Sequence, residues 1–250
     1  MSVCRNIVFG WALALLAIAL FTRLGLWQLQ RMQQKQAMLA AVAGVLQARQ
    51  PQPLAVAADP QRRAGYDWSA GRGHFLAAPA VLLDNQSREE RAGVRAYRVF
   101  QPAVGTPLLV ELGWLPLPGD RRLPAVPRPA GEWQLAGLLT PPPAAGLGGG
   151  AALARADGAL LTLALDPPTL RRALDLPALA PRVLKLDPAQ ALDAGPGYVR
   201  DLDILPNTLP PERHLGYAVQ WFALAAAVLV TALVLSLRRH GARARRAGMR

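Results

Sequence analysis

The 250-residue sequence predicts a membrane protein in which two transmembrane helices flank a mainly antiparallel β domain, a small barrel or sandwich with one or two helices. Three observations lead there. An apolar run lies toward each end, at 7–29 and 213–237. Between them the sequence turns into short runs of β-branched and aromatic residues separated by Gly and Pro clusters, the pattern of short strands and tight connections. The middle stretch also has no cysteine, because the single one is Cys4. Disulfides and cysteine-bound zinc, copper or iron-sulfur centres are thereby excluded there, and the domain must hold together through its own core.

Residues 1–6 form a short N-terminus with Arg5 as its charge, read as cytoplasmic. The unbroken apolar run at 7–21 is too short to span a bilayer, but the pattern continues through Leu24, Leu26, Trp27 and Leu29 around the lone Arg23. With Arg23 snorkelling to the interface, about 20 residues are available, enough for a span. A cleaved signal peptide competes, with Ala17-Ile18-Ala19 as its small-residue site. Apolar character running on to Trp27, an interfacial anchor type, argues against it. From 30 to 50 helix formers dominate and Leu39, Val42 and Leu46 recur at helical spacing, which predicts a stalk ended by Pro51 and Pro53.

The β domain covers 51–212, with strands expected at 66–75, 81–85, 97–102, 108–115, 132–139, 182–186 and 198–202. Residues 84–93 read as a polar hairpin connection. One helix is expected after Asp166, an N-cap type followed by Pro167 and Pro168 in the first turn. The Pro- and Gly-rich stretch at 141–150 reads as a flexible loop without the pattern of a phosphate cradle. The second span, entered through 213–216, is uncharged from Gly216 to Leu237. Its 21 positions from Tyr217 to Leu237 give roughly 31 Å of helix. The tail at 238–250 holds six arginines in thirteen residues, which places it on the cytoplasmic side.

The formal charge is +12, and those six arginines supply half of it. No basic stripe interleaved with aromatics is present, so nucleic acid is not an expected partner, whereas a basic tail beside a span suits the lipid bilayer. No catalytic motif of nucleophile-elbow or zinc-protease type occurs. The acidic pairs Glu89-Glu90 and Asp201-x-Asp203 read as solvated surface, His74 as a structural strand residue and His240 as part of the tail.

His214 stands apart, at the entrance of the second span. Imidazole is a good axial ligand for haem iron, and haem propionates favour cationic partners, for which Arg213 and Arg23 are candidates. Tyr217 and Trp221 follow one and two turns on, on roughly the same helix face, where rings could pack against a macrocycle. The same residue types also serve as plain interfacial anchors. The residues alone leave both readings open.

Four stretches, in order along the chain, resemble the Surfeit locus protein 1, or Shy-type, family of cytochrome c oxidase assembly factors. They are G-L-W-Q-L-Q-R-M-Q-Q-K at 25–35, V-L-L-D-N-Q at 81–86 with Tyr97 beyond it, L-L-V-E-L-G-W-L-P at 108–116 and R-H-L-G-Y-A-V-Q-W-F-A-L-A at 213–225. The resemblance implies a non-enzymatic, two-span inner-membrane protein with both termini cytoplasmic and a periplasmic domain. It also implies a role in maturing subunit I of the haem-copper oxidase by binding or delivering haem a, with haem a synthesis enzymes or other assembly factors as further partners. Haem a is then the cofactor and His214 its iron ligand. Gly25, Trp27, Gln28, Arg31, Asp84, Asn85, Gly113, Trp114 and Gln220, with Tyr217 and Trp221, match family motif positions. The sequence departs from the family pattern at Gln86, where arginine is common, and at Glu111-Leu112, where asparagine-arginine is common. The alternatives are a haem-independent chaperone for the nascent subunit and, lacking a catalytic constellation, a membrane-anchored periplasmic enzyme.

Overall fold

The structure is a computed structural model describing residues 2–143, 154–156, 158–192, 197–205 and 208–247, with side chains excluded at 2–7, 154–156 and 239–247. Most of the loop expected at 141–150, the side chain of His240 and most of the basic tail lie outside the described residues. The chain packs as two units, one made of Met1–Met38 with Leu209–Arg250, the other of Leu39–Thr208.

The first unit is a helix pair. Helix α1 runs Ser2–Ala48 without a break, so the expected span and stalk are one helix, and the second long helix, α3, is Pro211–Ala247. Large apolar side chains face outward on both, among them Phe9, Leu16, Leu26, Val219, Val230 and Leu237. Only 6% and 11% of the two apolar stretches are buried, unlike the core helices of a water-soluble fold, and by length and composition both suit a membrane span. The less exposed residues of α1 include a row, Trp11, Ala14, Ile18, Phe21, Gly25, Gln28, Met32 and Lys35, spaced alternately three and four apart. On α3 the matching row is His214, Ala218, Trp221, Ala225, Val228 and Ala232. A 3.5-residue repeat keeps one seam on the partner helix, and small residues let two backbones approach in an apolar medium. Trp11 Nε1 donates to Ser236 Oγ at 3.0 Å, Phe21 stacks on Trp221 at 5.6 Å, and Lys35 Nζ donates to the Leu209 carbonyl, so the helices run antiparallel.

The second unit is built on a nine-stranded sheet among the described residues. Its strands are β1 (Gln52–Pro53), β2 (Asp67–Phe75), β3 (Ala80–Arg88), β4 (Arg91–Pro102), β5 (Leu108–Pro116), β6 (Glu132–Thr140), β7 (Ala154–Ala156), β8 (Ala159–Thr162) and β9 (Val183–Leu186). The order is β1-β2-β6-β9-β5-β4-β3-β8-β7, and β2 also pairs with β4. That extra pairing closes β2, β6, β9, β5 and β4 into a ring, the small barrel among the two architectures expected. Pairing is mostly antiparallel, with β1–β2, β3–β8 and β5–β9 parallel. Strand β5 is buried on both faces: Leu108, Val110 and Leu112 join the main core with Phe75, Phe100 and Leu135. Leu109 turns to a second cluster with Val81, Tyr97 and Leu170, the last contributed by helix α2 (Pro167–Ala173). Asp166 caps α2 by accepting from Thr169 N at 3.0 Å, as its sequence signature requires.

The expected polar connection at 84–93 is instead mostly strand. Strands β3 and β4 run to Arg88 and from Arg91, and the turn is Glu89-Glu90 alone, with φ of 49° and 62°. Two successive positive φ values are the geometry of the tight hairpin turn whose twist matches the flanking strands. It is normally signalled by Asn or Gly, which is why the sequence concealed it. Residues 198–202 form no strand; Val199 makes an isolated bridge to Trp114. Strands β7 and β8 went unforeseen because their short, alanine- and leucine-rich segments carry no β-branched run.

The domain also buries charge. Arg182, wholly inaccessible, bridges Asp67 at 2.7 Å and donates to the carbonyls of Gly65 and Leu139, both at 3.0 Å. Glu111 on β5 accepts from Arg95 at 2.5 Å and Lys185 at 2.7 Å through one oxygen, and from the Tyr97 hydroxyl at 3.0 Å through the other. Asp201 joins through Arg95 at 3.3 Å and Arg88 at 2.5 Å, so it is a network member rather than solvated surface. Burial opposes ionisation of Glu111, but Lys185 and Arg95 outweigh it and hold the carboxyl below its ordinary value. Asp201 is depressed likewise, against burial, by Arg95 and Lys185. Burial, with Glu111 beside it, pushes the Tyr97 phenol well up, so it stays a neutral donor.

Because both carboxyls are depressed in the folded state, their stabilisation is complete at neutral pH. It is lost as the pH falls through and below the ordinary values of 4.5 and 3.8. Glu111→Gln is expected to strand two buried cations, destabilise the domain by about 3–5 kcal/mol and flatten its acid sensitivity, as read by denaturant unfolding at pH 7 and pH 4. Equal stability of the two proteins at pH 7 would contradict this role.

Candidate functional site

Helix α3 begins at Pro211, whose missing N–H is no loss in a first turn, and three residues on it presents His214 to the seam. The imidazole is 8% exposed. Its Nδ1 lies 2.7 Å from Gln28 Oε1 of α1, a contact spanning 186 positions of sequence. Its Nε2 is buried and meets no partner among the described residues. One turn before Gln28, Gly25 leaves room for the Phe222 ring: a Cβ there would lie 2.7–2.8 Å from two ring carbons. Seven residues beyond His214, Trp221 stacks on Phe21 with an interplanar angle of 28°.

The other buried polar atoms without partners among the described residues are of a different kind. Three are Nε atoms of Arg95, Arg98 and Arg182, whose terminal nitrogens are bonded, and two are the hydroxyls of Ser69 and Tyr198 in the sheet domain. Only His214 offers a ring nitrogen of the type that binds transition metals. No group of three or more His, Cys, Asp or Glu stands together among the described residues, so a bare ion would find one ligand here and not a set.

Of the residues singled out from sequence, Gly25, Gln28, His214 and Trp221 meet in the seam. Tyr217, Gln220, Arg213 and Arg23 are exposed. Tyr217 is displaced because an i+3 step on a helix falls 60° short of a full turn, whereas i+7 returns close to the starting face. Trp27 is also outward, with the Arg31 guanidinium 5.7 Å from its ring. Lys35, whose Nζ donates to the Leu209 carbonyl, carried no signal in the sequence beyond its helical spacing from Gln28.

The remaining motif positions shape the domain. Asn85, at φ 58°, sits in the bulge of β3, and Asp84 pairs with Arg121 at 3.0 Å. Gly113, at φ 137°, is bulged against β4, and a Cβ there would come within 2.8 Å of Tyr198 Cβ and 2.9 Å of the Val199 carbonyl oxygen. Trp114 donates from its indole to the Gln86 carbonyl at 3.2 Å, and Gly93 leaves space for the ring. The departures at Glu111 and Leu112 are interior: Glu111 centres the charge network and Leu112 lies in the main core, so neither is a docking surface.

The SURF1 family model matches residues 15–226. The chain belongs to the SURF1 family. The matched span takes in both halves of the seam around Gln28 and His214, together with the whole sheet domain, and stops within α3 before the basic tail. SURF1 proteins are oxidase assembly factors and not a known enzyme family. No curated protein matches the chain.

The seam is testable without any ligand. Gly25→Leu is expected to drive Phe222 out and lower the melting temperature of the detergent-solubilised protein, by the equivalent of about 1–3 kcal/mol of overpacking. Adding Phe222→Ala should recover much of that loss; purely additive effects would show that the two positions do not meet.

Proposed function

We propose that this SURF1-family protein assists maturation of subunit I of the haem-copper cytochrome c oxidase by holding haem a at His214. The observation that carries the reading is the buried Nε2 without a partner. A buried polar atom left unsatisfied costs about 1–3 kcal/mol, and in a helix pair whose other seam contacts are closed it calls for a ligand. A lone imidazole suits haem, since the porphyrin supplies four nitrogens to the iron and needs from the protein only an axial donor.

The residues fit the group. His214 would be the axial ligand, in its neutral form. Lys35 and Arg31 of α1, together with the exposed Arg213, are suited to meet carboxylates of propionate type. Trp221 and Phe21 supply aromatic surface within two turns. The chain's own part is to bind and orient: the seam keeps water from Nε2 and fixes the ring plane. Haem, when bound, supplies the iron and the carboxylates that these residues recognise.

The topology follows from charge. The arginines at and beyond Arg238 stay on the cytoplasmic side of the inner membrane, both termini with them, and the sheet domain is periplasmic. There it is free to meet the nascent subunit, haem a synthesis enzymes or other assembly factors. Affinity for the cargo is moderate, because a delivery protein must release it.

The test is purification from cells that make haem a, comparing absorption spectra of the wild type and His214→Ala. The expected result is loss of most bound haem, with helix content and co-purification of oxidase subunit I retained. Unchanged haem content would remove His214 as the essential ligand. Absence of haem from the wild type, with subunit I still co-purifying, would favour a haem-independent chaperone.

A further inference from the structure

We infer that Gln28 is the positioning residue of this site: its side-chain carbonyl fixes the tautomer and ring orientation of His214 so that the Nε2 lone pair is the one presented to a ligand. The inference rests on the haem reading for its purpose, but its structural content stands on the apo protein.

The two nitrogens of a neutral imidazole are inequivalent, and the hydrogen bond made by one decides what the other can do. Nδ1 of His214 faces Gln28 Oε1 at 2.7 Å, and an amide oxygen accepts but cannot donate. Nδ1 therefore carries the proton and Nε2 carries the lone pair. Nε2 has no hydrogen-bond partner among the described residues. Buried donors left without an acceptor are rarer in folded proteins than under-used acceptors, so a bare lone pair is the better-tolerated state of this atom.

Gln28 is held in place from its own helix. It sits in the same inward row as Gly25 and Met32, and Gly25, one turn away, lets the Phe222 ring close on α1 and fixes the local approach of α3. Ring rotation of His214 would break the 2.7 Å contact. The choice of an amide also matters. A carboxylate at this position would pull the Nδ1 proton toward itself and make the ring a stronger donor to a metal, whereas a neutral oxygen orients the ring without that gain in basicity. This matches a site that holds a cargo it must give up.

The experiment uses the full chain, 15N-labelled at histidine, in lipid nanodiscs without haem, with the His214 signals assigned by their loss in His214→Ala. Long-range 1H–15N spectra are expected to show the Nδ1–H tautomer in the wild type and a shift toward the Nε2–H form in Gln28→Leu. A wild-type Nε2–H tautomer would overturn the inference. In haem a-loaded protein, Gln28→Leu should retain haem with about 10-fold weaker affinity. Gln28→Glu should keep it and move its reduction potential to more negative values, a shift that a merely space-filling side chain would not produce. An unchanged potential in Gln28→Glu would likewise count against the role. If His214→Ala keeps its haem while the apo tautomer is as expected, the haem reading fails and the Gln28–His214 pairing stands. If His214→Ala loses haem but both Gln28 variants behave as wild type, the reverse holds.

Discussion

A polar contact inside an apolar helix pair, Gln28 with His214, is the constraint on which the functional reading depends. The contact joins residues 186 positions apart in sequence and ties the register of the two helices. Gly25 against Phe222 and Phe21 against Trp221 extend that register by packing alone. What the pair leaves over is a single ring nitrogen without a partner among the described residues.

In the sheet domain the buried charges are paired. Glu111 uses both carboxylate oxygens, Arg182 meets a carboxylate and backbone carbonyls, and Asp201 ties Arg95 to Arg88. These contacts knit together segments that the chain order separates, with β4, β5 and β9 sharing one network across the closed ring of strands. Such networks add little net stability over an apolar core, but removing one member is costly, so they specify one arrangement of strands. The contrast sets His214 apart: it is the imidazole whose second nitrogen the fold leaves unused.

Positions that match the family motifs divide along the same line. Asn85, Gly113 and Trp114 are there for bulges and for the close approach of the 198–201 segment, which the positive φ of Gly113 and its lack of a Cβ permit. Gly25, Gln28, His214 and Trp221 belong to the seam. Glu111 and Leu112 depart from the family pattern at interior positions, so their consequence is a different way of filling and neutralising the barrel wall, not an altered surface.

The sequence by itself determined the class of the protein: two spans from apolar length and terminal arginines, a β domain from its change of period, the α2 cap from Asp166 and its prolines, and His214 as the residue of interest. These are signals carried by composition and by neighbours within a turn or two. Helix periodicity also placed Trp221 beneath His214, although Tyr217, taken with it, turned outward. Tertiary structure alone decided that Gln28 is the partner of His214 and that β2 closes on β4. It likewise decided that Glu89-Glu90 is a tight turn and that Asp201 is part of a buried network. The physical reason is common to all of these. Each depends on a contact between residues distant in the chain, and the energy that fixes it, desolvation of a polar group or closure of a ring of strands, exists only once the chain has folded around it.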